Sequence, residues 1–310
     1  MNNYLLIDTH AHLYLDDFEE NREALLERCQ KGEFPEIQGK TINDPNHCFR
    51  LKAIIQPGIS WETSQKVVEM AQSHDFLFAA IGVHPNYIQN ISEDLWNQMD
   101  NLTQNNAVVG IGETGLDLYW NKSPLETQID FLLRHIDLAQ KKDLPVIIHC
   151  REAMKELLPI LRQVRQSEKR EVGSAVSSGI SEDEFPLAIK ERGRFPLRGV
   201  IHSFCEGPEV AQELVELGFY LGFGGSLTFT NKKFAEIGEA AKIVPEDRLL
   251  LETDSPFLTP HPFRGKLERN EPLMTAFVAK KLAELRKVSN EEMICQTTKN
   301  AQTLFRLPKE

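Results

Sequence analysis

The stretch "LPVIIHC", residues 144–150, is a short apolar run that begins beside a proline and closes on His149. A run this short, rich in Val, Ile and Leu and bounded by Gly or Pro, is typical of a β-strand buried on both faces. Seven more runs of this kind follow the same rule along the chain: "YLLIDTHAH" (4–12), "LKAIIQPG" (51–58), "FLFAAIGVHP" (76–85), "AVVGIGETGLD" (107–117), "RGVIHSF" (198–204), "GFYLGFGGS" (218–226) and "RLLLETDSP" (248–256).

Helical patterns lie between these runs. Apolar residues recur three and four apart in "WETSQKVVEMAQSH" (61–74), "LETQIDFLLRHIDLAQKKD" (125–143) and "PEVAQELVELG" (208–218). Eight strands that alternate with helices favour a (β/α)8 TIM barrel over an open doubly wound sheet. The chain is therefore expected to form one barrel domain over residues 1–310.

The composition is that of a globular protein. Of the 310 residues, 41% are hydrophobic and 26% are charged, and the formal net charge is −11, which argues against a broad basic surface for nucleic acid. Five scattered cysteines form no Cys-x-x-Cys pair, so neither a disulfide framework nor a zinc ribbon is indicated. The N-terminus lacks a signal-peptide pattern and no apolar run is long enough to span a membrane. A cytoplasmic protein with no membrane association is expected.

Polar residues stand at the C-terminal ends of the predicted strands. In a (β/α)8 barrel these ends form the face that carries the active site. The pair His10 and His12 is two residues apart and so can point the same way. Residues that close the predicted strands are His10, His12, His84, Glu113, His149, His202 and Asp254.

Each of these residues also has an ordinary structural explanation. A single histidine such as His149 or His202 is more often a core residue with a satisfied ring, and His84 could be a turn residue held by Pro85. A buried carboxylate, by contrast, is costly unless it is paired or bound to metal. One site explains all the strand ends together, and it consists of His10, His12, Glu113, His149, His202 and Asp254. Four imidazoles and two carboxylates exceed one tetrahedral ion and suit two ions bridged by a carboxylate.

The motifs resemble those of a known family. "DTHAHL", "IGVHP", "GIGETGLDLYW", "LPVIIHCREA", "GVIHSF", "GFYLGFGGSLTF", "LLLETDSPFLTPHPFRGKLERNEP" and "TTKNAQTLFRL" occur in the order typical of TatD-family metal-dependent deoxyribonucleases, which belong to the amidohydrolase-like barrels. The resemblance extends from Ile7 to about Leu307.

The resemblance implies a role for each site residue. His10, His12 and Asp254 would hold one metal ion, His149 and His202 would hold the other, and Glu113 would bridge both. Asp254 would also act as the proton-accepting carboxylate beside the attacking water. For substrate binding, the resemblance implies His84 near the scissile phosphate, and Arg151, Arg264 and Asn270 holding either the phosphate or the loops of the site.

Two segments depart from the family outline. Extra residues at about 33–50 and a longer insert at about 167–196 both precede predicted strands, which places them near the N-terminal face, away from the metal site. The second segment is rich in Ser, Gly and charge and is expected to be a surface loop.

The expected activity is metal-dependent hydrolysis of phosphodiester bonds in DNA, from a strand end, through a water activated by two divalent ions. Mixed His and carboxylate ligands admit Zn²⁺ and Mn²⁺, while the resemblance implies Mg²⁺ or Mn²⁺. The expected partner is DNA bound locally at the metal site, with no obligate protein partner. An amidohydrolase is the first alternative, although related barrels of that kind often bridge their metals with a carboxylated lysine and "GIGETG" has none. A small-ester hydrolase and a non-catalytic binding protein on the same scaffold are the others; the second would lack a ligand, and none is missing.

Overall fold

The computed structural model describes residues 3–37, 39–42, 48–176 and 194–308. Its main sheet has eight parallel strands whose order in the sheet is their order in the chain. The strands are β1 (Asn3–Asp8), β2 (Cys48–Pro57), β3 (Leu77–Ile81), β4 (Val108–Asp117), β5 (Val146–Arg151), β6 (Gly199–Ile201), β7 (Tyr220–Phe223) and β8 (Leu249–Leu251).

The last strand returns to the first. Thr9 N donates to Leu251 O at 3.0 Å, Asp254 N donates to His10 O at 2.8 Å, and Ala11 forms a parallel bridge with Ser255. These contacts bring the two edges of the sheet together into a barrel. The predicted (β/α)8 TIM barrel is confirmed.

Helices cover the outside of the barrel. Within the described residues they are α1 (Arg22–Lys31), α2 (Trp61–Ser73), α3 (Glu93–Leu102), α4 (Leu125–Lys142), α5 (Met154–Val176), α6 (Pro208–Glu216), α7 (Ala235–Ile243), α8 (Thr275–Arg286) and α9 (Asn290–Phe305). The three helices predicted from apolar periodicity are α2, α4 and α6. None of the helices in the described ranges is long and apolar enough to cross a membrane.

The barrel interior has its own apolar core, separate from the layer between strands and helices. Each strand contributes at least one buried side chain to it, and the C-terminal helix α9 adds Ala301, Leu304 and Phe305. On β5 and β6 the interior residues are Ile147 and Val200, and His149 and His202 follow two positions later. Since side chains alternate faces along a strand, both histidines continue the inward face above this apolar floor.

The first insert contains a short antiparallel pair, Glu36–Ile37 with Lys40–Thr41. Residues 38 and 43–47 lie outside the described residues. This segment joins α1 to β2, and the second insert joins α5 to β6, so both precede the N-terminal ends of barrel strands.

The loop expected at about 167–196 is wrong for residues 167–176, which continue α5. Glu168 gives the physical reason. Its buried carboxylate accepts from Leu197 N and Gln140 Nε2, each at 2.7 Å, and pairs with Arg165 at 2.8 Å. This network fixes the helix to the entrance of β6. Residues 177–193 lie outside the described residues.

Candidate metal centre

The structure brings all six predicted ligands to the C-terminal ends of the strands. Two follow β1, one lies in β4 and one in β5, one follows β6 and one follows β8: His10, His12, Glu113, His149, His202 and Asp254. Each is at most 16% exposed at its side chain. Five different strands thus supply one buried polar cluster.

Glu113 lies at the centre of this cluster. One carboxylate oxygen, Oε1, is 2.9 Å from His149 Nδ1 and 2.9 Å from His202 Nε2. The other, Oε2, is 3.3 Å from His10 Nε2 and 3.7 Å from His12 Nε2. The two oxygens therefore face two different pairs of imidazoles, which is the arrangement required of a bridging carboxylate.

Asp254 completes the group around the first pair. Its Oδ1 is 3.3 Å from His12 Nε2 and 3.8 Å from His10 Nε2, and the two histidine Nε2 atoms are 3.1 Å apart. Ligands bound to one ion at about 2.1 Å lie roughly 3 Å or slightly more from each other. The separations in both groups fit that requirement.

The electrostatics depend on Glu113. Burial alone would raise its pKa, but His202 and the hydrogen bonds with His10 and His149 lower it well below the usual range. Burial would likewise lower the pKa of His202, yet Glu113 raises it well above 6.5. These imidazole nitrogens thus attract positive charge, either protons or cations.

The donor set fits divalent cations. Within the described residues, His10, His12 and Glu113 form one triad with ligand atoms within 4.8 Å of one another, and Glu113, His149 and His202 form another. Imidazole nitrogens with carboxylate oxygens are ligands that Zn²⁺ and Mn²⁺ accept. A buried, ionised carboxylate among close imidazoles is costly without a compensating charge.

The sequence comparisons agree with this chemistry. A family model described as "TatD related DNase" matches residues 7–306. The chain belongs to this TatD family. It is 37% identical over 303 residues to the uncharacterized metal-dependent hydrolase YabD of Bacillus subtilis, covering 98% of this chain and 100% of YabD. It is 32% identical over 302 residues to the uncharacterized metal-dependent hydrolase YcfH of Escherichia coli K12, covering 97% and 96%.

A solved TatD homologue has the same fold. The crystal structure of YjjV from Escherichia coli K12 superposes with a TM-score of 0.77 at 27% identity and covers 98% of both chains. The predicted resemblance is thus confirmed, and this TatD-family chain is a metal-dependent hydrolase with His, Asp and Glu clusters able to hold metal.

A second shell supports the ligands of the TatD-family site. Asp8, fully buried, accepts from His10 N at 3.2 Å and from Thr253 N at 2.9 Å. Asn270 donates to Thr253 O at 3.0 Å and Phe257 O at 2.7 Å, and its Oδ1 accepts from Glu271 N at 3.0 Å. Of the two roles expected for Asn270, this fully engaged and buried amide favours holding the loop over contacting a phosphate.

Asp117 is a site residue that the strand-end pattern did not select. Its Oδ2 is 3.1 Å from His149 Nε2 and 3.1 Å from Asn86 Nδ2, and its Oδ1 accepts from Trp120 N at 2.8 Å. Since an ionised carboxylate only accepts, His149 carries its proton on Nε2 and presents Nδ1 to Glu113. Burial would raise the pKa of Asp117, but these donors lower it to about 2.

The predicted substrate-side residues occupy different positions. His84 Nε2 is 3.6 Å from Glu113 Oε1, and its ring centroid is 4.3 Å from that of His149, so His84 borders the cluster. Arg151 is exposed, with its guanidinium 4.0 Å from the centre of the Tyr119 ring. Arg264 stacks over Phe229 at 4.1 Å and, among the described residues, pairs with none of the six ligands.

Proposed function

We propose that this protein hydrolyses phosphodiester bonds of DNA from a strand end, using two divalent cations. The observation that carries the proposal is the placement of Glu113, whose two oxygens face two separate imidazole pairs. Two ions 3.5–4 Å apart form the usual clamp for phosphoryl hydrolysis. Membership of the TatD-related DNase family supports the same substrate.

The chain's residues divide the work. His10, His12 and Asp254 hold the first ion, His149 and His202 hold the second, and Glu113 contacts both. When bound, the ions lower the pKa of water and offset the charge that develops on the phosphate. We propose Mg²⁺ or Mn²⁺ in function, with Zn²⁺ as the third candidate.

Asp254 is the proposed general base. It is the most exposed of the six ligands, at 16%, and so borders the solvent from which water arrives. Burial alone would raise its pKa, but His12 and His10 lower it, which keeps the carboxylate ionised and able to accept a proton. His84 and Arg151 border the same space and are proposed to hold the phosphate.

The proposed DNA contact is local, because the chain has a formal net charge of −11 and no broad excess of cations. A cytoplasmic location and function without an obligate protein partner remain part of the proposal. The alternatives are hydrolysis of an amide or a small ester at the same centre. Glu113 stands where an amidohydrolase with a carboxylated lysine bridge would need a lysine, which favours the phosphodiester.

The test is cleavage of an end-labelled single-stranded DNA by metal-stripped protein, with Mg²⁺, Mn²⁺ or Zn²⁺ restored in turn. The variants Glu113→Ala and Asp254→Ala run beside Glu239→Ala, an exposed carboxylate on α7 that serves as the matched control. We expect metal-dependent shortening that the first two substitutions abolish and the control retains. A folded, metal-loaded protein that leaves DNA intact would contradict the proposal and direct the search to amides and esters.

A further inference from the structure

The exposed aromatic side chains are confined to the catalytic face. Among the described residues seven large hydrophobic side chains are exposed, and the three aliphatic ones, Leu5, Leu133 and Ile243, lie on β1, α4 and α7. The four aromatic ones all follow barrel strands at their C-terminal ends, and we name them the aromatic rim: Tyr87, Tyr119, Trp120 and Phe257. Isolated exposed apolar residues need no explanation, but this restriction to one face does.

The rim is attached to the metal centre. Trp120 N donates to Asp117 Oδ1 at 2.8 Å, while Asp117 Oδ2 accepts from His149 Nε2 at 3.1 Å. One carboxylate therefore positions both the loop that carries Trp120 and a predicted metal ligand. Any group that rests on Trp120 lies beside the reacting centre.

The rim also flanks the cluster on two sides. The Tyr87 ring centroid is 6.0 Å from that of His84, and the Phe257 centroid is 6.4 Å from that of His12. His84 borders the His149 side of the cluster, whereas His12 belongs to the Asp254 side. Aromatic surface is thus available on both sides of the position where a phosphate would be cut.

A cation accompanies the largest part of the rim. Tyr119 and Trp120 meet edge to face with centroids 5.0 Å apart, and the Arg151 guanidinium covers Tyr119 at 4.0 Å. Arg151 has no carboxylate partner within the described residues and retains donors for an anion. Trp120 is the most exposed of the four, at 56%.

We propose that Trp120, supported by Tyr119, is a stacking subsite for an unpaired nucleobase of the substrate strand, and that Arg151 contacts the phosphate next to that base. The inference rests on the proposed function and assigns it a binding subsite. Aromatic side chains and arginine planes stack on bases that are free of a duplex, and every base offers such a face. The subsite therefore favours a base-containing strand without reading its sequence.

The test compares two single-stranded oligonucleotides of equal length and charge. One carries normal bases and the other carries abasic tetrahydrofuran sugars at the positions around the cleaved end. KM is measured for both strands with wild-type protein, Trp120→Ala and Trp120→Phe. Leu133→Ala, which shortens an exposed side chain on α4, is the matched control.

We expect wild-type protein to prefer the base-containing strand. Base–aromatic stacking corresponds to roughly 5- to 150-fold in binding, so Trp120→Ala should reduce the KM preference by about that factor. Trp120→Phe should restore part of the preference, and Leu133→Ala should keep it. Since Trp120 is exposed, the folded state of each variant is verified by its thermal unfolding midpoint.

The outcomes separate the two claims. If wild-type protein cleaves neither strand, the proposed function is wrong. If it cleaves both strands with the same KM, or if Trp120→Ala keeps the preference, the stacking subsite is wrong while the proposed function stands.

Discussion

Asp117→Asn should weaken metal binding without dismantling the barrel. The replacement keeps the size of the side chain and one oxygen that can still accept from Trp120 N. It places an amide NH₂ where Oδ2 now accepts from His149 Nε2 and Asn86 Nδ2, each at 3.1 Å. Two donors would then face this amide. His149 relieves the conflict by moving its proton from Nε2 to Nδ1, the atom 2.9 Å from Glu113 Oε1.

That change of tautomer sets the size of the effect. A protonated Nδ1 cannot bind a cation, so every binding event must first reverse the shift. Losing one hydrogen bond to a charged group costs about 1.5–3 kcal/mol, and second-shell substitutions of this kind weaken metal binding by about 10- to 100-fold. We expect a loss in that range for the ion held by His149 and His202.

The assay is competition between the protein and a fluorescent chelator for Mn²⁺ or Zn²⁺. Asn86→Ala is the control, because it removes another donor to the same oxygen and leaves the bond to His149. It should change affinity less than Asp117→Asn does. Unchanged affinity in Asp117→Asn, or an equal loss in both variants, would refute the tautomer argument.

Two further predictions concern stability. Burial lowers the pKa of His135 to about 4, so below its unfolded pKa of about 6.5 the unfolded state binds a proton that the fold excludes. The free energy of unfolding should therefore fall by up to about 3 kcal/mol between pH 6.5 and 4, and His135→Gln should lack this part of the decline in urea titrations. Gly115 has a φ of +147°, and a Cβ there would lie 1.9 Å from the carbonyl oxygen of His149. Gly115→Ala should cost at least about 1–3 kcal/mol in unfolding free energy, more than Gly265→Ala, where φ is also positive but no atom lies within 4 Å; equal costs would contradict the steric argument.

The barrel and the ligand cluster could be predicted because both depend on a strong local pattern. A parallel strand buried on both faces must be a short apolar run, and a polar residue at its end reports the active face. His149 and His202 follow from that rule alone. The order of the strands then requires no long-range information, since consecutive strands are neighbours.

The remaining features depend on tertiary contacts. Asp117 closes β4 four residues beyond Glu113, and nothing local shows that it meets His149 from the next strand. Aromatic residues are more often buried than exposed, so the exposure of Tyr119 and Trp120 could not be deduced from their identity. The helix over residues 167–176 depends on Glu168 and its partners near the start of β6.

The seam between β1 and β8 affects how the protein matures. His10 and His12 are among the first residues to be synthesised, whereas Asp254 emerges only after four-fifths of the chain, and the backbone of Asp254 bonds directly to His10 O. A cation held by these three side chains would join the two ends of the barrel and close a loop of more than two hundred residues. A nascent chain would therefore lack this half of the centre until nearly the whole barrel has left the ribosome, and hydrolysis would begin only in a finished molecule.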